Sequence, residues 1–67
     1  MILRVTQELG SFYDTETGDR IYVAPRPLNY QKMSEAKLEE NARQWFRDWA
    51  KHNNHQPVIV GIDTAAP

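Results

Sequence analysis

The chain has 67 residues, with eight basic and nine acidic side chains, a net charge of −1 and no cysteine. This length allows one domain at most, and the near-neutral charge removes the bulk attraction on which non-specific nucleic-acid binding depends. The lack of cysteine excludes disulfides, thiolate metal sites and cysteine nucleophiles.

The first predicted element is a half-buried strand over residues 2–9, because apolar and polar side chains alternate there. Leu3, Val5 and Leu9 are assigned to its inner face, and Gln7 is the polar exception among them. Arg4 is assigned to the outer face.

The stretch "FYDTETGDRIYV" predicts a hairpin whose turn is "TETG", since Gly18 favours the positive φ that closes such turns. The returning strand is placed near residues 19–24. Alternation along this strand assigns Ile21 and Val23 to the inner face. The side chains assigned to the outer face are Arg20, Tyr22 and Ala24. The prolines that follow predict an extended connector over residues 25–33.

A helix is predicted over residues 35–52, with Ser34 as its N-cap and an asparagine at position 53 or 54 ending it. Its apolar stripe, with Phe46 on one flank, consists of Leu38, Ala42, Trp45 and Trp49. Both tryptophans are therefore interpreted as core anchors, with a partly exposed binding residue as the alternative for one of them. Replacing Trp45 with alanine is expected to cost about 3–5 kcal/mol.

The segment "PVIVGID" predicts a last, well-covered strand near residues 58–62, and residues 64–67 are expected to form a flexible tail. The predicted order is β-β-α-β. This indicates an α+β fold in which residues 1–67 form a single domain: a small single-layer, three-stranded sheet with one helix packed on one face. The other face is expected to meet solvent or a partner.

Three parts of the sequence contain residue types that are found in metal or catalytic sites. Asp48, His52 and His55 could ligate zinc, but their spacing matches no zinc signature. The acidic "DTETGD" stretch lacks the ligands of a calcium loop, and neither serine has a histidine near it in sequence. The sequence therefore predicts no metal site, no cofactor and no enzymatic activity.

The favoured hypothesis is a small interaction protein that binds, and inhibits or modulates, a larger protein or nucleoprotein partner. Arginine and tyrosine dominate the binding energy of protein interfaces. The predicted contact residues on the open sheet face and the connector are Arg4, Arg20, Tyr22, Arg26 and Tyr30. A secondary basic face is predicted on the helix at Arg43, Arg47 and Lys51, for which an ordinary solvated surface is the alternative.

The competing hypothesis is a module that binds single-stranded nucleic acid, since interleaved arginine and tyrosine also suit stacked bases and phosphates. A homodimer through an edge of the sheet is a further alternative. No apolar run approaches the ~20 residues of a membrane span, so a soluble protein without membrane contact is expected. The lack of cysteine favours a reducing compartment, and the cytoplasm is the expected location. Small domains without catalytic apparatus are typical of the accessory and inhibitory proteins of phages and mobile elements.

Overall fold

The computed structural model describes residues 1–63 as one four-stranded sheet with one helix packed against it. The elements are β1 (Ile2–Glu8), β2 (Ser11–Asp14), β3 (Arg20–Val23), a short 3-10 turn (Tyr30–Lys32), α1 (Glu35–His52) and β4 (Gln56–Asp63). The α+β class is confirmed, whereas the predicted count of three strands is wrong. The predicted tail, residues 64–67, lies outside the described residues.

The additional strand is β2, which pairs antiparallel with β1 from Glu8↔Ser11 to Val5↔Asp14. The chain reverses over Leu9 and Gly10, and Leu9 adopts a left-handed backbone with φ 55°. Because leucine rarely adopts this conformation, the turn carried little signal in the sequence. Leu9 is exposed at this turn, so its assignment to the core is wrong.

After the helix, the chain returns to the sheet as β4, which pairs with β1 in parallel. The sheet order is β3-β2-β1-β4, which places β1 inside the sheet and leaves β3 and β4 as its edges. Among residues 1–63, no helix is both long and apolar enough to cross a membrane.

The predicted bounds of α1 are confirmed, and local signals account for them. The backbone N–H of Lys37 donates to Ser34 Oγ at 3.2 Å, which is the hydrogen bond expected of an N-cap. At the other end Asn53 caps the helix, and Asn54 takes a left-handed backbone with φ 60°. The chain can therefore turn into β4 directly after the helix.

The core differs from the prediction in the phase of the helix. Phe46 is fully buried and stacks on Phe12 of β2 with 4.4 Å between ring centroids. Trp45 is 47% exposed, so its assignment as a core anchor is wrong. Trp49 is half-buried against Phe46 and Tyr22, at the flank of the core. The buried helical residues are Glu39, Ala42, Phe46 and Ala50.

A bulge in β3 reverses the expected orientation of the residues that follow Ile21. Tyr13 pairs with Arg20 and Phe12 pairs with Tyr22, so Ile21 has no partner and the alternation restarts after it. Tyr22 consequently lies on the helix side, stacked on Trp49 at 5.1 Å, and not on the outer face. Ala24 is buried as well, whereas Val23 is 56% exposed, so both of these assignments were also wrong.

The position of Tyr22 predicts a loss of stability at high pH. Burial, with a smaller contribution from the charge of Asp48, raises the pKa of Tyr22 above its ordinary value of 10.0. Folding thus favours the neutral phenol, and this contribution is complete below pH 10 and lost as pH rises through the raised pKa. Urea unfolding from about pH 9 to about pH 11 should show the free energy of unfolding falling.

The variant Tyr22→Phe retains the ring and removes the ionisable hydroxyl. We expect a weaker dependence of its unfolding free energy on pH over the same range. An unchanged dependence would contradict the assignment of the loss to the half-buried Tyr22, because the loss would then arise from other groups.

Candidate functional site

The face of the sheet opposite α1 brings together basic and aromatic side chains. The register pairs Thr6 with Tyr13 and Tyr13 with Arg20, and paired residues project to the same side of a sheet. Arg4 lies two residues before Thr6 on the same strand and therefore on the same face. We call the set Arg4, Tyr13 and Arg20 the open-face cluster.

Two of the predicted contact residues, Arg4 and Arg20, thus lie on the open face and are exposed. The aromatic member of the cluster is Tyr13, which the sequence prediction missed, and not Tyr22. Alternation starting from a buried Phe12 would have placed Tyr13 outward. That signal was obscured because β2 was not assigned as a strand.

Exposed apolar side chains lie beside the open-face cluster. Ile2 shares the outer face of β1 with Arg4, and Val23 pairs with Ser11, a residue of opposite phase to the buried Phe12. Val60 is exposed where β4 bulges between its pairings with Val5 and Thr6. The open face is therefore a mixed surface of arginine, tyrosine and aliphatic groups, the composition of many protein interfaces.

The connector holds two more of the five predicted contact residues. Arg26 and Tyr30 are exposed, and the Arg26 guanidinium carbon lies 5.1 Å from the centroid of the Tyr30 ring. This distance is typical of a cation–π contact. Residues 30–32 form a 3-10 turn, so the connector is not extended over its whole predicted length. Neither residue belongs to the open-face cluster.

Instead, the connector forms one wall of a groove of about 180 Å³, whose other walls are the β1–β2 turn and the first half of α1. Its apolar lining includes Leu9, Pro25, Pro27, Leu38 and Ala42. Three charged residues also line it: Arg26, Glu35 and Glu39. Glu39 is only 7% exposed, and its Oε2 atom has no hydrogen-bond partner among residues 1–63.

A buried polar cluster around Gln7 joins the sheet to the helix. Gln7 is fully buried, and its Nε2 donates to the backbone oxygens of Leu9 at 2.7 Å and Glu39 at 3.0 Å. Arg43 Nη1 donates to Gln7 Oε1 at 3.0 Å. Arg43 is therefore half-buried against the sheet, which corrects its assignment to a free basic face. Arg47 and Lys51 are exposed.

The histidine-rich end of α1 has its own local contacts. His52 Nδ1 donates to the backbone oxygen of Asp48 at 2.8 Å and lies 3.6 Å from Asp48 Oδ1. His55 is half-buried, with its ring centroid 6.1 Å from that of Trp49. In the part of the chain that the structure describes, no three histidine or carboxylate residues are grouped to hold a metal ion.

Two surfaces thus remain as candidates for function: the open-face cluster with its apolar surroundings, and the groove that contains Glu39. They lie on opposite sides of the sheet, since the groove is walled by α1. No protein-family model matches this chain, no curated protein is significantly similar to it, and no solved structure matches it significantly.

Proposed function

We propose that this chain is a small, non-enzymatic interaction protein that binds a larger protein or nucleoprotein partner through its open sheet face and inhibits or modulates that partner. The observation that supports the proposal is the open-face cluster. The pairings Thr6↔Tyr13 and Tyr13↔Arg20 set an aromatic ring beside arginine on a face that α1 does not cover.

The chemistry of this face favours a protein over other partners. Arginine and tyrosine are enriched among the residues that dominate interface energy, and the exposed Ile2 and Val23 add apolar area beside them. A typical interface takes about 800 Å² from each partner. That is about one sixth of the 4958 Å² that the chain exposes.

A binding role also agrees with the size of the groove. Its volume of about 180 Å³ is below the ~300 Å³ of the smallest usual ligand pockets. The groove therefore offers little room to enclose a substrate together with the groups that would act on it. This supports a non-enzymatic role.

The proposal predicts that charge reversal on the open face abolishes partner capture. The immobilised chain is incubated with lysate of its source cell, and the recovered proteins are identified by mass spectrometry. The double variant Arg4→Glu, Arg20→Glu should lose the partner that the wild type retains, because repulsion replaces two interface cations. The matched control Arg47→Glu, Lys51→Glu changes the net charge equally on exposed helix positions and should retain it.

Circular dichroism establishes that both variants are folded before capture is compared. Recovery of the same proteins by the wild type and the open-face variant would refute the proposed surface. Loss of the partner only with the helix variant would transfer the site to Arg47 and Lys51.

A second candidate function, binding of single-stranded nucleic acid, is favoured by the position of Tyr13 beside Arg20 on the open face. In such a site a base stacks on the tyrosine ring, and the arginine contacts the neighbouring phosphate. Repeating the capture with untreated and with nuclease-treated lysate separates the two functions. If the wild type enriches nucleic acid from the untreated lysate and recovers no protein after nuclease treatment, the second function is favoured.

A further inference from the structure

The groove between the connector and α1 contains a carboxylate whose hydrogen bonding is incomplete. Glu39 is 7% exposed and lines the groove, and its Oε2 atom has no donor within residues 1–63. Buried polar atoms in folded proteins nearly always have partners, and an unsatisfied one is costly. Oε2 itself is closed to solvent, but Glu39 lines the groove, so the carboxylate marks a position for a donor that a ligand would bring.

The side-chain hydrogen bonds of the neighbouring donors go to other groups. Gln7 Nε2 donates to the backbone oxygen of Glu39 and to that of Leu9, and not to the Glu39 carboxylate. Arg43 lies one helical turn from Glu39, but its Nη1 donates to Gln7 Oε1. The buried polar cluster thus fixes the helix backbone at Glu39 and leaves the carboxylate available to a ligand.

The shape and charge of the groove limit what can occupy it. About 180 Å³ is enough for one long side chain, and the apolar walls at Pro25, Pro27 and Leu38 suit an alkyl stem. Two carboxylates, Glu35 and Glu39, line the groove against one cation, Arg26, whose guanidinium lies over Tyr30. A stem that ends in a cation complements this lining.

We propose that the groove binds a lysine or arginine side chain of the protein partner, with the stem against the prolines and the cationic group at the Glu39 carboxylate. This inference rests on the proposed function, because it supplies a contact residue of that partner. It adds a second point of attachment, on the helix side of the sheet, to the one on the open face.

The charge selectivity of the wild-type groove is the first test. Amide NMR spectra are recorded while butylammonium, 1-butanol or pentanoate is added, three probes that share a butyl stem. Butylammonium should shift the amide signals of Gly10, Ala24 and Ala42, which line the groove. It should bind at least about tenfold more tightly than either other probe, as expected for a charge-assisted hydrogen bond. Equal binding of all three probes would overturn the proposal.

A pair of neighbouring variants is the second test. Glu39→Gln removes the buried charge and should weaken butylammonium binding about tenfold. Glu40→Gln removes an identical charge from the next residue of α1, which is exposed, and should leave binding unchanged. Equal effects of the two variants would overturn the proposal. If Glu39→Gln does not fold, the charge selectivity of the wild type decides the question.

A peptide probe distinguishes a partner's side chain from a free organic cation. Acetyl-Leu-Lys-Leu-amide should bind more tightly than butylammonium, since the flanking residues extend onto Leu9 and Leu38 at the groove. Binding no tighter than butylammonium would identify a small cation as the occupant and overturn the assignment to a protein partner. The open-face variant Arg4→Glu, Arg20→Glu should bind the peptide like the wild type, so failure of the groove and failure of the open face are separable.

Discussion

Replacing Phe46 with alanine is expected to lower the free energy of unfolding by about 3–5 kcal/mol. Phe46 is fully buried, stacks on Phe12 at 4.4 Å and lies 5.9 Å from the Trp49 ring, so its removal leaves a cavity between helix and sheet. Small domains are stable by only about 5–15 kcal/mol, and a chain of this size belongs at the lower end. Urea unfolding followed by far-ultraviolet circular dichroism measures the loss.

Trp45→Ala is the control, because Trp45 is the adjacent residue and is larger than Phe46 but 47% exposed. We expect a clearly smaller cost than for Phe46→Ala, because about half of the Trp45 side chain already contacts solvent and its removal leaves no enclosed cavity. Circular dichroism is preferred to fluorescence, since one variant removes a fluorophore. A loss for Trp45→Ala as large as that for Phe46→Ala would contradict the observed phase of the helix.

Gln7→Ala is expected to cost about 2–3 kcal/mol, a large effect for one polar side chain. The substitution deprives the backbone oxygens of Leu9 and Glu39 of their donor, and it removes the acceptor of Arg43 Nη1. The bond to Glu39 is buried and the other two are partly buried, so water replaces the lost bonds poorly. Chemical unfolding of the variant gives the difference directly.

Gln44→Ala is the matched control, because Gln44 is exposed on α1 and should contribute less than about 0.5 kcal/mol. A double-mutant cycle of Gln7→Ala with Arg43→Ala isolates the hydrogen bond between the two side chains. Additive effects of the two substitutions would contradict the observed contact, since residues that share a hydrogen bond should show a coupling energy.

The sequence predicted the helix correctly because the signals for its ends are local. Ser34 caps the first turn through its own hydroxyl, and Asn53 ends the last turn. The same holds for β1, whose alternation of apolar and polar residues placed Arg4 outward and Val5 inward. The "TETG" turn is also local, and Gly18 has the positive φ expected of it, 78°.

The phase of the helix depended on contacts across the fold. Trp45 and Phe46 are adjacent and about 100° apart around the helix, and both are large and apolar. Helical periodicity alone could therefore place either at the centre of the buried stripe. Phe12 of β2 lies opposite the helix and stacks on Phe46, and this contact places Phe46 at the centre of the buried stripe. A prediction without β2 as a strand lacks this contact.

The candidate site was likewise divided between sequence and structure. Alternation and composition determined that a sheet face with Arg4 and Arg20 would lack cover. Which tyrosine joins them was decided by the bulge at Ile21, which turns Tyr22 inward and leaves Tyr13 on the open face. The groove at Glu39 required the tertiary structure entirely, because three segments distant in sequence form its walls. A one-residue shift in strand pairing inverts every following side chain, and strand pairing is determined by long-range contacts that a local pattern does not encode.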